Sequence, residues 1–399
     1  MPRPALELAD IFRQHGAAYR HNHALPLPQR RVMRAIETCR TAALGGHVDR
    51  CSRCHYTRIS YNSCRGALWA GHCPKCQNTD RARCLEWRQS ELLPVEYFHV
   101  VFTLPEPIAA IAFYNKAVVY RILFAAAAET LTTLGRDPTH LGAELGFFAV
   151  LHTWGQNLLH HPHLHCVVPG GGLSPDRQSW VSCRPGFFLP VRVVSRLFRR
   201  LFLQALTAAF EQGKLEFFGD LEQLQDPAAF AAYLEPCRRS EWVVYAKPPF
   251  GGPRQVLAYL SRYTHRVAIS NQRLVSLEAG QVTFDWKDYR HPQKTKRMTV
   301  AADEFIRRFL LHVLPPGFPR IRHFGFLANC HRQEKLALCR KLLSTAAAEL
   351  LPGPKECVAA LAAMVPPTLL NRCPQCGGEM IRIEILGPYR WPALPPDTS

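Results

Sequence analysis

Two Cys-x2-Cys pairs, Cys51 with Cys54 and Cys73 with Cys76, place the tightest constraint on how this chain can fold. Residues 55 to 72 separate them, a gap within the roughly 15–20 residues typical of a four-cysteine zinc site. The spacing predicts two knuckles closing tetrahedrally on one Zn2+, with Cys64 and His72 nearby as an exchanged ligand or part of a second site. Four protein ligands leave no open coordination position, so the expected role is structural. Arg53, Arg58, Arg65, Lys75, Arg81 and Arg83 crowd the same region, and the knuckles either present them to DNA or serve a purely architectural purpose.

The sequence contains 15 cysteines and no secretory signal, a pattern that favours thiolates and metal over a disulfide framework and predicts a cytoplasmic protein. With 49 Lys and Arg against 31 Asp and Glu, the net charge is +18 and the pI near 9.5, which calls for a polyanionic partner. The most apolar stretch, Ile108 to Ala128, is interrupted by Lys116 and Arg121 and does not read as a membrane span. No Gly-x4-Gly-Lys-Ser/Thr motif occurs, which excludes a P-loop ATPase or helicase and predicts no nucleotide cofactor.

Two helices are expected before residue 46. From Glu96 the pattern changes: Phe98 to Leu104 reads as a strand, Ile108 to Leu134 as one or two helices, and Phe147 to Trp154 as a second strand. If His163 to Val168 is also extended, His163 and His165 share one face while Leu164, Cys166 and Val168 point to the other. Two imidazoles so placed form half of a metal site, and Gln156, just before the histidine strand, is the candidate third ligand, with His161, Gln255 and water as competitors. An amphipathic helix follows in 190–212, then a strand at Trp242 to Ala246 and a rigid turn from Lys247 to Gly252, with Pro253 placed as the first residue of the next helix. Arg254 to His265 reads as a helix with Tyr259 and Tyr263 at i and i+4 on one face. Short strands at Val267 to Ser270, Leu274 to Leu277, Gln281 to Trp286 and Arg297 to Val300 form a meander, and Glu304 to Leu314 is a helix. Lys287, Arg290, Lys294, Lys296 and Arg297 surround Trp286 and Tyr289, a mixture suited to single-stranded nucleic acid. A last knuckle, Cys373-x2-Cys376, has no second pair after it, leaving Cys330, Cys339 or Cys357 to complete a site or the pair without one. The proline-rich tail after Gly387 is expected to be poorly ordered.

A His-hydrophobe-His strand combined with a later Tyr-x3-Tyr helix resembles the HUH endonuclease superfamily, in its two-tyrosine branch of rolling-circle transposases from bacterial insertion sequences. The likeness extends to the cysteine-rich N-terminal part, Tyr97 to Pro105, Tyr259 to Asn271 and Phe284 to Arg290, although the segment Cys64 to His72 is longer than the family pattern. It implies an α+β fold: a ferredoxin-like antiparallel sheet with helices, preceded by a small helical zinc-binding domain. Residues 1–95 would form that N-terminal domain, 96–314 the catalytic domain with a helical insertion at about 190–237, and 315–399 a C-terminal region. It further implies Tyr259 and Tyr263 as nucleophiles, Mg2+ or Mn2+ at His163 and His165, and transposon ends and target in single-stranded form as partners. Arg254, Arg262, Arg266, Lys287 and Arg290 are the expected DNA contacts, in a bacterial cytoplasm at the nucleoid. A plasmid or phage replication initiator or relaxase would use the same parts. A non-catalytic zinc-finger DNA-binding regulator would explain the cysteines and charge while leaving the histidine and tyrosine motifs as coincidences.

Overall fold

The computed structural model describes residues 6–64, 73, 74, 76, 92–247, 268–287, 295–330, 332–347 and 372–389. In chain order the elements are α1 (Leu8–Asn22), α2 (Leu27–Thr38), β1 (Gly46–Cys51), β2 (Thr57–Tyr61), β3 (Tyr97–Thr103), α3 (Glu106–Tyr114), α4 (Lys116–Arg136), β4 (Gly146–Trp154), β5 (His160–Pro169), β6 (Gly171–Leu173) and β7 (Trp180–Ser182). They continue with α5 (Val191–Glu211), α6 (Pro227–Arg239), β8 (Val244–Lys247), β9 (Leu274–Glu278), β10 (Gln281–Lys287), β11 (Thr295–Ala301), α7 (Ala302–Leu310), β12 (Ile321–Gly325), α8 (Arg332–Ala347) and β13 (Met380–Leu386).

This is an α+β architecture built on a five-stranded sheet of order β12-β4-β5-β3-β8, every neighbouring pair antiparallel. Alternation along each strand divides the side chains between two faces. Phe98, Val100 and Phe102 of β3, Phe147, Ala149 and Leu151 of β4, and Leu164, Cys166 and Val168 of β5 enter the main core. There they meet Ile108, Val119, Leu123, Phe124, Phe198, Phe202, Phe230 and Leu234 from α3 through α6. Helix α4 is the one helix among the described residues long and apolar enough to cross a membrane, and it buries Val119, Tyr120, Leu123, Phe124 and Leu131 in this core. The opposite face of the sheet carries Tyr97, Phe148, Val150 and Val167 together with the histidines.

A second core joins α1 and α2 to the meander β9–β10–β11 and α7, with Phe12 packed edge-on against Phe309 at 5.4 Å between ring centroids. Trp154 and Leu158, at the β4–β5 turn, are buried in the same core and connect it to the central sheet.

Three placements differ from the sequence reading. The expected strand at Val267 to Ser270 is, in its described residues 268–270, a bend leading into a 3-10 turn, because Ala268 and Ile269 are drawn into the second core. Ile321–Gly325, assigned above to a C-terminal region, is an edge strand of the central sheet, paired with β4 from Ile321 opposite Val150 to Gly325 opposite Gly146. β13, from the same region, pairs with β1, so the expected boundary near residue 314 does not coincide with the sheets. A five-residue strand has too little periodicity to reveal its partner, and pairing is decided by the neighbour that saturates its backbone groups.

A histidine face and two cysteine clusters

Strands β4 and β5 are joined by a short turn, and their register sets His152 directly opposite His163, with His165 opposite Val150. All three imidazoles therefore lie on the face away from the helices, and one nitrogen of each falls within 4.8 Å of the others. His152 and His165 are buried, at 2% and 8% exposure, while His163 is half-buried. The rings are fixed by their surroundings. His163 Nδ1 lies 2.7 Å from the His161 carbonyl, to which it donates, leaving Nε2 for the cluster. His165 Nδ1 lies 2.8 Å from Nε2 of His99, a buried residue of β3, a contact that engages the Nδ1 edge of the ring. His152 stacks on Trp154 with centroids 4.6 Å apart. Three converging imidazoles, two of them held through Nδ1 by a carbonyl and by another ring, are a ligand set suited to a divalent cation.

His163 and His165 thus share a face, as their spacing predicts. Gln156 lies in the turn beyond β4, where its backbone carbonyl accepts from the Arg273 guanidinium; the third nitrogen beside the pair comes from His152. Sequence reasoning overlooked His152 and His99. The available signal for His152 was its position two residues before the end of a strand leading by a tight turn into the histidine strand.

Tyr259, Tyr263, Arg254, Gln255, Arg262, Arg266 and Arg290 lie outside the described residues. The chain on either side is fixed: Lys247, at the end of β8, is opposite His99, and Ala268 and Ile269 are buried in the same core as Trp154 and Leu158. Arg273 reinforces the second anchor by donating from Nε to the Asp285 carbonyl at 2.7 Å. Lys287 ends β10 on the exposed surface. Beside it, Lys296 Nζ stands 5.6 Å from the Trp286 ring centroid and Arg297 pairs with Asp285 at 3.4 Å.

The cysteines sort differently from the expectation. Cys73 and Cys76 gather with Cys39, at the end of α2, and Cys64; the Sγ separations are 3.6 Å for Cys39–Cys76, 3.5 Å for Cys39–Cys73 and 3.3 Å for Cys64–Cys76. All four are buried. Cys51 and Cys54 instead meet Cys373 and Cys376, so Cys51, Cys54, Cys73 and Cys76 do not converge on one point. The reason is the three-stranded sheet β13-β1-β2: β1 delivers Cys51 to its end, and β13 brings the last knuckle alongside. Around Cys51, the backbone N–H groups of Cys54 and Arg53 and the adjacent thiols favour the thiolate, lowering its pKa to about 6. Both clusters have the donor set for structural zinc.

Comparison with known proteins gives the family. Residues 146–335 match a family model described as "Putative transposase", and residues 11–104 match one described as "Transposase zinc-binding domain". The chain is 61% identical over its whole length, and that of the relative, to "Putative transposase y4qJ" of Sinorhizobium fredii. It is 27% identical to "Transposase for insertion sequence element IS801" of Pseudomonas savastanoi pv. phaseolicola, over 86% of this chain and 80% of that one. No solved structure matches it significantly.

Proposed function

Because the chain belongs to the IS91/IS801-type family of insertion-sequence transposases, we propose that it nicks and rejoins single-stranded DNA at the element's ends through 5′-phosphotyrosine links, driving rolling-circle transposition. The observation that carries this reading is the convergence of His152, His163 and His165 on the helix-free face of an antiparallel sheet. A sheet with helices on one face and a metal-ligating cluster on the other is the arrangement an HUH-type ferredoxin-like nuclease requires. In this reading His163 and His165 hold a divalent ion with His152, in place of Gln156, as the third ligand. Imidazole is an uncommon partner for Mg2+, so the donor set favours Mn2+.

When bound, the ion supplies Lewis-acid polarisation of the scissile phosphate. The protein provides the nucleophile and its alignment. A free phenol has a pKa of about 10, so roughly one tyrosine in a thousand is ionised at neutral pH, and attack depends on a poised geometry. The oxygen of Tyr259 or Tyr263 bonds to phosphorus as the bond from phosphorus to O3′ breaks, and the departing O3′ takes up a proton. Reversal by a 3′-hydroxyl restores the phosphodiester and frees the tyrosine, so rejoining needs no ATP. Two tyrosines allow two successive links. The segment that carries them follows Lys247, which pairs opposite His99, and precedes Ile269, which is buried in the same core as Trp154; this supports the assignment. Lys287, Arg290, Arg254, Arg262 and Arg266 are the proposed strand contacts, in the bacterial cytoplasm at the nucleoid.

The test is incubation of the protein and Mn2+ with single-stranded oligonucleotides from the flanks of its own gene, looking for protein bound covalently to a 5′ end. The wild type should form the adduct and Tyr259→Phe/Tyr263→Phe should form none, because the change removes two oxygens and little volume. Cleavage by the double variant would exclude tyrosine nucleophiles; DNA binding without cleavage by the wild type would favour a non-catalytic regulator.

A further inference from the structure

Two segments from opposite ends of the described chain adopt the same local fold. At Cys51 the backbone N–H donates to the Tyr56 carbonyl at 2.9 Å, and at Cys373 it donates to the Gly378 carbonyl at 2.7 Å, in each case five residues onward. The residue after the second cysteine takes the left-handed conformation in both, His55 at φ 57° and Gly377 at φ 70°. Each loop thereby presents two Sγ atoms to the same side. The loops face one another: Ser52 N–H donates to the Glu379 carbonyl at 2.9 Å, and a Cβ placed on Gly378 would lie 2.9 Å from Cys51 Sγ. Cys51 Sγ is 3.4 Å from Cys376 Sγ, Cys54 Sγ is 3.5 Å from Cys373 Sγ, and all four sulfurs lie within 4.8 Å of one another.

A tetrahedron of sulfurs each about 2.3 Å from zinc has edges of about 3.8 Å, close to these separations. Cysteines that merely fill a core are buried, yet Cys54 and Cys376 are exposed while converging on two buried partners. We propose that Cys51, Cys54, Cys373 and Cys376 hold a second zinc ion, separate from the one suited to Cys39, Cys64, Cys73 and Cys76, and that it clasps β13 onto the N-terminal sheet. The matched family model for the zinc-binding domain, residues 11–104, contains only half of this site. The clasp joins residues 319 positions apart, Cys54 and Cys373, so the N-terminal ribbon is complete only when the distant knuckle has docked.

Metal analysis of the purified whole chain should find two zinc ions per molecule, and Cys373→Ser/Cys376→Ser should retain one. One zinc in the wild type, or two in the variant, overturns the proposal. Should the variant not fold, thiol footprinting of the wild type decides. In the zinc-loaded protein Cys54 and Cys376 should resist iodoacetamide despite their exposure, and a chelator should render them reactive together with Cys51 and Cys373. Alkylation of Cys54 and Cys376 in the loaded protein at the rate of a free thiol overturns it.

Discussion

His99→Leu tests whether the histidine face is a metal centre or a buried polar patch. In the native chain His165 Nδ1 lies 2.8 Å from His99 Nε2, and an ion on His165 Nε2 requires the proton on Nδ1, so His165 donates and His99 accepts. Leucine has a similar volume and cannot accept. His165, at 8% exposure, would lose both the bond that selects its tautomer and the contact that holds its ring. Removing an outer partner of this kind costs typically 10- to 100-fold in metal affinity, or about 1.4–2.7 kcal/mol. Mn2+ titration by calorimetry should show that weakening in His99→Leu, with a larger loss in His152→Ala, while thermal melts report whether each variant is folded. His99→Gln, whose side-chain carbonyl can accept from Nδ1, should recover part of the affinity. Unchanged Mn2+ affinity in His99→Leu would refute the coupling. If His152→Ala also bound Mn2+ normally, the three-histidine site itself would be refuted.

Two further predictions concern stability. Gly325 sits at φ 60°, and a Cβ there would lie 1.7 Å from the Leu145 carbonyl oxygen, so Gly325→Ala should destabilise the chain by about 3 kcal/mol or more in urea unfolding as β12 is pushed off β4. His160 is held neutral, its pKa lowered from 6.5 to about 4, first by burial and then by the Lys116 charge. Between pH 6.5 and 4 the unfolded chain therefore binds a proton that the folded chain refuses, and stability falls as pH falls through that window. His160→Gln, which can still bond the Tyr120 hydroxyl, should lose less stability between pH 7 and pH 5 than the wild type; equal losses would assign the acid sensitivity elsewhere.

The paired histidines of β5 were legible because alternation along a strand is a local rule: one imidazole at 163 fixes the side on which 165 emerges. His152 belongs to the same run of sequence, yet its part depends on the β4–β5 register, which places it opposite His163. His99 depends on a third strand as well. The cysteines show where local rules fail. Spacing suggests that neighbouring pairs share an ion, whereas β1 pairs with β13 and carries Cys51 and Cys54 to a distant partner. Cys39 belongs to no pair, so nothing in its spacing marked it, whereas Cys64, lying between the two pairs, was open to being an exchanged ligand. Helices α1 to α7 and the meander strands β9 to β11 were readable from periodicity, whereas the strand expected at Val267 to Ser270 is a bend, α8 went unread and β12 was too short to announce itself.

The pairing of β1 between β2 and β13 also orders events during synthesis. A nascent chain that has emerged through β2 exposes one whole side of β1 as a row of unpaired N–H and C=O groups. The ribosome must add the residues between Cys54 and Cys373, 319 positions apart, before the covering strand can arrive. At ~5–20 residues per second that takes roughly 15 to 60 seconds. During that interval the open edge is a template for pairing with another chain, and a product released early keeps it permanently. Ribosomes stalled upstream of residue 373 are therefore expected to yield aggregation-prone polypeptides.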